Sequence, residues 1–528
     1  MSNSDGTCSY VLDSDDPETW GGEDGEIFPP NYTAILDENG VWSCPYNIKN
    51  TDEDDYCIFH NDEEQDIRKE IKHIVPCSGN DKKIEIFGSN LGEVHLKYLD
   101  VGDEDTVVDL SFSKIKNLRE SREKISCELR FCGVTVTGRI GIVDVEFLET
   151  IVFTNSQFFN QAAFNGCVFH KKVSIDRSVF NGRASFNTSK FESKTSFHST
   201  VFRNRAIFSS SKFSDELTLT DAEFRDGAFF DYTEVSDRAV FFMSNVPNSS
   251  FENFQSTGTT SFIEADLTES DFSHANLSNA DLEQSLLSRA TLFDTDLRGA
   301  KLSGAVLGDV RIDEDTKFLG HPSNDSDSSP HTFSAIRSKP CCVYDPNYDR
   351  DSEADEDKAK SVYRALEKLA GKAARPRLQS QSFVRRQDLQ KDSYKKAAKE
   401  ADSWEERLIA GARYSRAKVA RETLLYGESP WRIVGGSFSF IVLVGLIYPL
   451  GEWLRPTGED PITYSQILDG EWGLLLESFY FSTLTFTTLG MGDYQPLGFG
   501  QVLATINTAF GAILIALLVF VLGRRAAR

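Results

Sequence analysis

Large apolar residues along positions 142–246 recur at alternating steps of five and six. The series begins Ile142, Phe147, Phe153, Phe158, Phe164, Phe169, Ile175 and Phe180 and keeps its rhythm to Val246. Small residues such as Ala162, Cys167, Ser178, Ala184 and Ser189 stand two positions before most of them. After Phe251 the step becomes five, from Phe262, Leu267, Phe272 and Leu277 to Leu307 and Ile312, with Ala265, Ala275 and Ala280 in the small position. Ser256 breaks the series between Phe251 and Phe262. Neither step suits an amphipathic helix of period 3.6 or a strand of period 2. Five residues per side close a coil of four sides, each turning one large and one small residue inward. Positions 142–312 then make about eight coils, roughly 40 Å long at a strand spacing of ~4.8 Å. These inward residues are core, and none is assigned a site.

Two uncharged runs follow near the C-terminus. One covers 433–451 and the other 494–523, each long enough to cross a bilayer. Arg413, Arg416, Lys418, Arg421 and Arg432 precede the first run, and Arg524, Arg525 and Arg528 follow the second. The intervening 452–477 holds six acids and one base, Arg455. Positive flanks stay on the cytoplasmic side, so a multi-pass cell-membrane protein with both termini cytoplasmic is expected. Neither span carries a ladder of arginines, which excludes a classical voltage sensor.

Between the spans, "EWGLLLESFYFSTLTF" (471–486) is apolar and aromatic but too short to cross. It predicts a half-helix that dips into the membrane, with its C-terminal partial negative charge aimed at the centre, where a cation could sit. Non-helical backbone at that depth survives only when buried in protein or lining a watery path. "TLTFTTLGMGDYQP" (483–496) is therefore either a Gly-x-Gly turn or the lining of a pore.

Taken together, span, half-helix, threonine-rich approach, Gly-x-Gly-Asp and second span resemble the two-transmembrane potassium-channel pore family over about 431–525. Thr485, Phe486, Thr487, Thr488, Leu489, Gly490, Met491, Gly492 and Asp493 stand where the family reads T-x-T-T-V-G-Y-G-D. The resemblance implies a homotetramer in a lipid bilayer, with K⁺ as the permeant ion. It implies a selectivity filter of Thr488, Leu489, Gly490, Met491 and Gly492, with Asp493 at the outer mouth and Gly511 as a gating hinge in the inner helix. Close helix packing is the other reading of Gly511. Two residues depart from the family. Met491 replaces the tyrosine whose hydroxyl braces the filter, so a non-selective cation channel is the alternative. Leu484 stands where some members carry a buried Glu that pairs with the filter Asp. A membrane-anchored binding or scaffold protein is a further alternative, needing only two plain spans.

"ADLTESDFSHANLSNADL" (265–282) resembles the pentapeptide-repeat family, and the five-six region resembles its longer-loop variant. That implies a right-handed quadrilateral β-helix. The fold class expected is thus multidomain: a pentapeptide-repeat solenoid plus an α-helical pore domain of two spans with a re-entrant pore helix.

Charge refines this picture. The net charge is −25, and residues 1–66 hold 18 acids against Lys49 alone. Residues 358–421 invert it, with 18 bases against 7 acids. The acidic surplus suits a solvated surface in a halophilic, haloarchaeal source. The basic stretch reads as a helical linker drawn to anionic lipid headgroups, with Pro376 separating two helices. Solenoids offer long binding surfaces, so a cytoplasmic ligand or protein partner is expected, and no nucleic acid.

The nine cysteines form no disulfide-like framework and read as reduced. Cys8, Cys44, Cys57 and His60 could make a structural zinc site, and His73 and Cys77 could take the place of Cys8. Scattered buried thiols are the other reading. No nucleophile elbow or P-loop is present, so no enzyme is expected. The segments expected are 1–80, acidic with Cys and His; 81–141, a β-rich lead-in; 142–315, the β-helix; 316–357, an acidic linker; 358–430, a basic helical linker; and 431–528, the pore domain.

Overall fold

The computed structural model describes residues 8–20, 36–44, 57, 59–60, 83–100, 105–322, 341–348, 354–489 and 492–526. The chain forms two compact units, Met1–Val362 and Tyr363–Arg528.

The first unit is a four-sided β-solenoid. Parallel partners are one coil apart: Phe158 lies beside Phe180, Ile142 beside Phe164, Phe169 beside Phe191 and Val173 beside Thr195. Each pair belongs to a different side, and each is offset by 22 residues. After residue 261 the offset falls to 20, as in Asp266 beside Leu286 and Asp271 beside Thr291. The change of step in the sequence is thus a change of coil length.

The corners explain why the strands are so short. Asn155, Arg177, Ser199 and Asp221 all sit near φ 55, in the left-handed region, at 22-residue intervals. Non-glycine residues reach that region with some strain. The strain persists because each corner N–H is bonded to the next coil, for example Asn155 to the Asp176 carbonyl at 2.9 Å and Arg177 to that of His198 at 2.8 Å.

Inside, phenylalanines stack in columns. Phe158, Phe180, Phe202 and Phe224 have successive centroid distances of 4.4, 5.0 and 4.7 Å. Such pairs add about 0.5–1.5 kcal/mol each beyond their burial. The small position also carries hydrogen bonds. Ser189 and Ser211 donate their hydroxyls to the Phe164 and Phe186 carbonyls at 2.6 Å.

The solenoid starts earlier than its phenylalanine rhythm. Lys83–Glu85 and Asn90–His95 already belong to its sheets, so the lead-in is itself coiled. Ahead of it, β1 (Val11–Asp13) pairs antiparallel with β2 (Val41–Ser43). Beyond the last coil, residues 341–348 are not a loose loop but a docked arm. The Tyr344 hydroxyl donates to Glu283 at 2.6 Å, and Gly320 N–H donates to the Cys341 carbonyl at 3.1 Å.

Helix α1 (Glu356–Lys372) carries the chain into the second unit. There follow α2 (Pro376–Glu400), α3 (Trp404–Leu424), α4 (Pro430–Ile447), α5 (Trp472–Phe486) and α6 (Phe499–Ala526). Proline at the first position starts α2 as expected. Three helices, not two, occupy the basic linker, because α2 is continuous through its polar stretch. Pro430–Gly451 and Phe499–Gly523 are long and apolar enough to cross a membrane, about 33 and 38 Å at 1.5 Å per residue.

Candidate functional site

Helix α5 is the predicted half-helix, and it packs against both α4 and α6. Its C-terminus leads into the stretch expected as the filter. The Leu489 N–H bonds to the Leu484 carbonyl at 3.0 Å, and the Thr488 N–H to that of Thr485 at 3.2 Å. This pair of bonds is a Schellman turn, which places Thr488 in the position usually given to glycine. Thr488 accordingly has φ 62. A β-branched residue there is strained, by about 1–3 kcal/mol, and such strain gathers at functional sites.

Thr488 and Leu489 leave the helix end exposed, with Leu489 65% accessible. Gly490 and Met491 lie outside the described residues. Gly492 and Asp493 resume beyond them, also exposed. The Asp493 side chain faces solvent in this chain.

Three supports of this loop had no clear signal in the sequence. Thr457 is the first. Its N–H donates to the Asp493 carbonyl at 2.9 Å, and its hydroxyl reaches the carbonyls of Gly492 at 3.1 Å and Asp493 at 2.9 Å. The strand Leu454–Pro456 pairs antiparallel with Tyr494–Pro496 just beside it. The acidic outer segment therefore holds the exit of the loop by its backbone.

Tyr494 is the second support. Its ring lies 6.0 Å from Tyr480 and 5.9 Å from Phe481, so the aromatic bulk of α5 braces the residue after Asp493. Asn507 on α6 is the third. It is fully buried, and its amide donates to the Ser482 carbonyl at 2.8 Å and the Thr485 hydroxyl at 2.6 Å. A polar residue in an apolar helix is retained only with such partners.

Gly511, the predicted hinge, lies within an unbroken α6. A Cβ there would sit 1.9 Å from the Phe486 carbonyl oxygen. Close packing of α6 on the end of α5 thus requires glycine at this point.

Ahead of the first span, Asp388 on α2 is buried and gathers partners from the end of α3. Arg421 donates to it at 2.6 Å and the Tyr426 hydroxyl at 3.2 Å. Leu425 and Tyr426 have φ 48 and 55, so the chain turns sharply between α3 and α4 at two strained residues. Arg432 then bonds back to the Arg421 and Glu422 carbonyls at 3.0 and 3.1 Å, closing the C-terminus of α3.

The N-terminal cluster also assembles. The ligand atoms of Cys8, Cys44, Cys57 and His60 lie within 4.8 Å of one another. Pairing of β1 with β2 is what brings Cys8 and Cys44 together, and the Cys44 N–H bonds to the Tyr10 carbonyl at 3.1 Å. Hydrogen bonds from Cys44 and Cys57 hold the Cys8 thiol far below its ordinary range. His73 and Cys77 lie outside the described residues.

One stretch in each unit resembles a known family. Residues 270–309 match the profile of pentapeptide repeats, in eight copies, and residues 461–528 match the profile described as ion channel. No curated protein matches the chain. Three solved structures similar to part of the chain are pentapeptide-repeat or resistance proteins. Rfr23, a pentapeptide repeat protein from the cyanobacterium Cyanothece 51142, is 22% identical over 20% of this chain, with a TM-score of 0.12. The chain spans 63% of Rfr23. HetL, a pentapeptide repeat protein involved in heterocyst differentiation regulation from the cyanobacterium Nostoc sp. strain PCC 7120, is 17% identical. The match covers 46% of this chain and 93% of HetL, with a TM-score of 0.16. QnrB1, a plasmid-mediated fluoroquinolone resistance protein, is 16% identical over 38% of this chain and 91% of its own, with a TM-score of 0.17.

Proposed function

We propose, for a chain that joins pentapeptide repeats to an ion-channel domain, that four copies assemble into a passive potassium channel of the cell membrane. The observation that carries this reading is α5. It packs against both membrane-length helices and ends in a strained turn at Thr488, directly before Leu489-Gly490-Met491-Gly492-Asp493. Around a four-fold axis the carbonyls of Thr488, Leu489, Gly490 and Met491 would replace the hydration shell of K⁺. Gly492 turns the chain outward, and Asp493 sets a negative charge at the outer mouth. An open groove beside Tyr494–Leu497, lined on α6 by Gln501, Thr505, Thr508 and Ala512, supports a neighbouring copy at this face.

Basic flanks favour both termini on the cytoplasmic side, with the solenoid there to meet its ligand or protein partner. The acidic surface of the solenoid unit fits a halophilic setting. The chain leaves the solenoid through α1, then α2 and α3, before entering the first span. In that order a pull reaches α4 through the Asp388 cluster and the turn at Leu425 and Tyr426. Opening would bend α6 at Gly511, away from the Phe486 carbonyl.

Conductance of the purified assembly in planar bilayers tests the assignment, with Gly490→Ala as the variant. The expected result is current from the parent and none from Gly490→Ala, with the tetramer retained on native mass spectrometry. Persistent current in the variant would move the filter elsewhere. No current from the parent at any salt would favour the membrane-anchored scaffold. One residue favours a second reading, a non-selective cation channel. Met491 lacks the hydroxyl that would brace the filter, although Thr457 and Tyr494 supply other bracing.

A further inference from the structure

We infer that Cys8, Cys44, Cys57 and His60 bind one zinc ion, and that this ion clamps the N-terminal segment over the first coil of the solenoid. The donor set comes first. Zn–S bonds of about 2.3 Å and a Zn–N bond of about 2.0–2.1 Å give tetrahedral edges of roughly 3.8 Å between sulfurs and 3.6 Å between sulfur and nitrogen. Here Cys44 and Cys57 Sγ are 3.7 Å apart, and His60 Nδ1 lies 3.4 Å from Cys8 Sγ and 3.1 Å from Cys57 Sγ. All three cysteines are buried. Thiols are weak hydrogen-bond donors, so hydrogen bonding alone is a poor reason to gather three of them around one imidazole. Thiolate with imidazole selects zinc over the hard cations that prefer oxygen.

The second observation fixes which nitrogen binds. His60 Nε2 is 2.7 Å from the Phe87 carbonyl. A carbonyl only accepts, so Nε2 carries the hydrogen and Nδ1 turns its lone pair toward the sulfurs. Metal-binding histidines are oriented in this way, through the nitrogen that does not bind. The Tyr10 ring lies flat on the imidazole, 3.9 Å between centroids and 5° between planes. The Cys57 N–H donates to Cys8 Sγ at 3.1 Å, a bond suited to a thiolate.

Location supplies the role. The ligands come from chain segments far apart in sequence, and described residues beside them, Trp42 and Phe59, lie against the start of the solenoid. Asn90 N–H bonds to the Phe59 carbonyl at 3.0 Å, and Trp42 meets Phe87 edge-on at 4.9 Å. Among the described residues, Lys83–Glu85 ends its sheet, with a strand neighbour on one side only. An open coil would show water its core and its unpaired backbone. Terminal caps solve that problem in solenoids. Among the described residues of this cap, Leu12, Trp20, Trp42 and Phe59 are the buried apolar side chains apart from the three cysteines, in a segment that is strongly acidic. A metal adds folding free energy where apolar burial is short.

The test uses the full-length protein in detergent under reducing conditions, compared with Cys44→Ser and His60→Gln. Elemental analysis should find about one zinc per chain in the parent, kept through an EDTA wash and lost from both variants. Cobalt loading should give the intense visible absorption of a tetrahedral thiolate site. Stripping zinc from the parent should speed amide exchange at 84–95 and leave 262–312 unchanged. A parent without zinc, or a Cys44–Cys57 disulfide found by mass spectrometry in reduced material, overturns the site. Zinc retained by both variants also overturns it. Unchanged exchange at 84–95 overturns the clamp. The parent measurements decide the matter even where a variant does not fold.

Discussion

Gly511 is a residue where one missing carbon sets how closely two helices pass. Alanine there must push α6 away from the Phe486 carbonyl, an overpacking that costs about 1–3 kcal/mol. Gly511→Ala should lower the melting temperature of the detergent-solubilised protein and reduce its current. An unchanged melting temperature would contradict the close packing and leave only a hinge. Asp109 makes a second residue-scale prediction. It accepts from the Ser111 N–H at 3.0 Å, yet burial pushes its carboxyl up to about 6 from 3.8. An acid whose folded pKa is raised stabilises the fold at low pH, and that contribution is lost as pH rises through about 4 to 6. Asp109→Asn should therefore stabilise the solenoid at pH 7–8 by up to about 3 kcal/mol, from 1.36 kcal/mol per unit, and by nothing below about pH 4. Thermal melts across that range in zinc-replete buffer check the sign. A gain confined to acid pH would contradict it.

At the scale of elements, the solenoid is held coil by coil. Phe186 stacks at 5.2 Å on both Phe164 and Phe208 and is almost fully buried. Phe186→Ala should cost about 3–5 kcal/mol. Because each coil touches only its neighbours, the loss should stay local. Hydrogen exchange should quicken around 164–208 and spare 270–309, whereas uniform loss would mean the coils fold as one block. The pore elements work differently. Helix α5 is fixed at its C-terminus by Asn507 from α6, and the returning chain is fixed by Thr457. Its strained Thr488 is held in place by these supports on either side.

For the whole molecule, what was legible in the sequence follows from how far apart the responsible residues lie. Each step of the Phe and Leu rhythm is one side of a coil, so the rhythm was enough to read four sides and two coil lengths. The first coils read only as a β-rich lead-in because buried Ile84, Leu91, Val108 and Ile115 are irregularly spaced, Leu91 and Ile115 on strands of six and eight residues. Helix α2 was missed because its polar stretch carries few apolar positions. The spans and the half-helix are local patterns and were read directly. Thr457, Tyr494 and Asn507 act only through contacts made after folding, and no spacing announced them. For the cysteine cluster the set Cys8, Cys44, Cys57 and His60 was legible as residue types, but its closeness in space came from strand pairing. The central claim is potassium conduction through Thr488–Gly492, and the bi-ionic reversal potential tests it most directly. With potassium on one side of a bilayer holding the purified channel and sodium on the other, the current should reverse far toward the potassium equilibrium potential. Reversal at zero would contradict potassium selectivity.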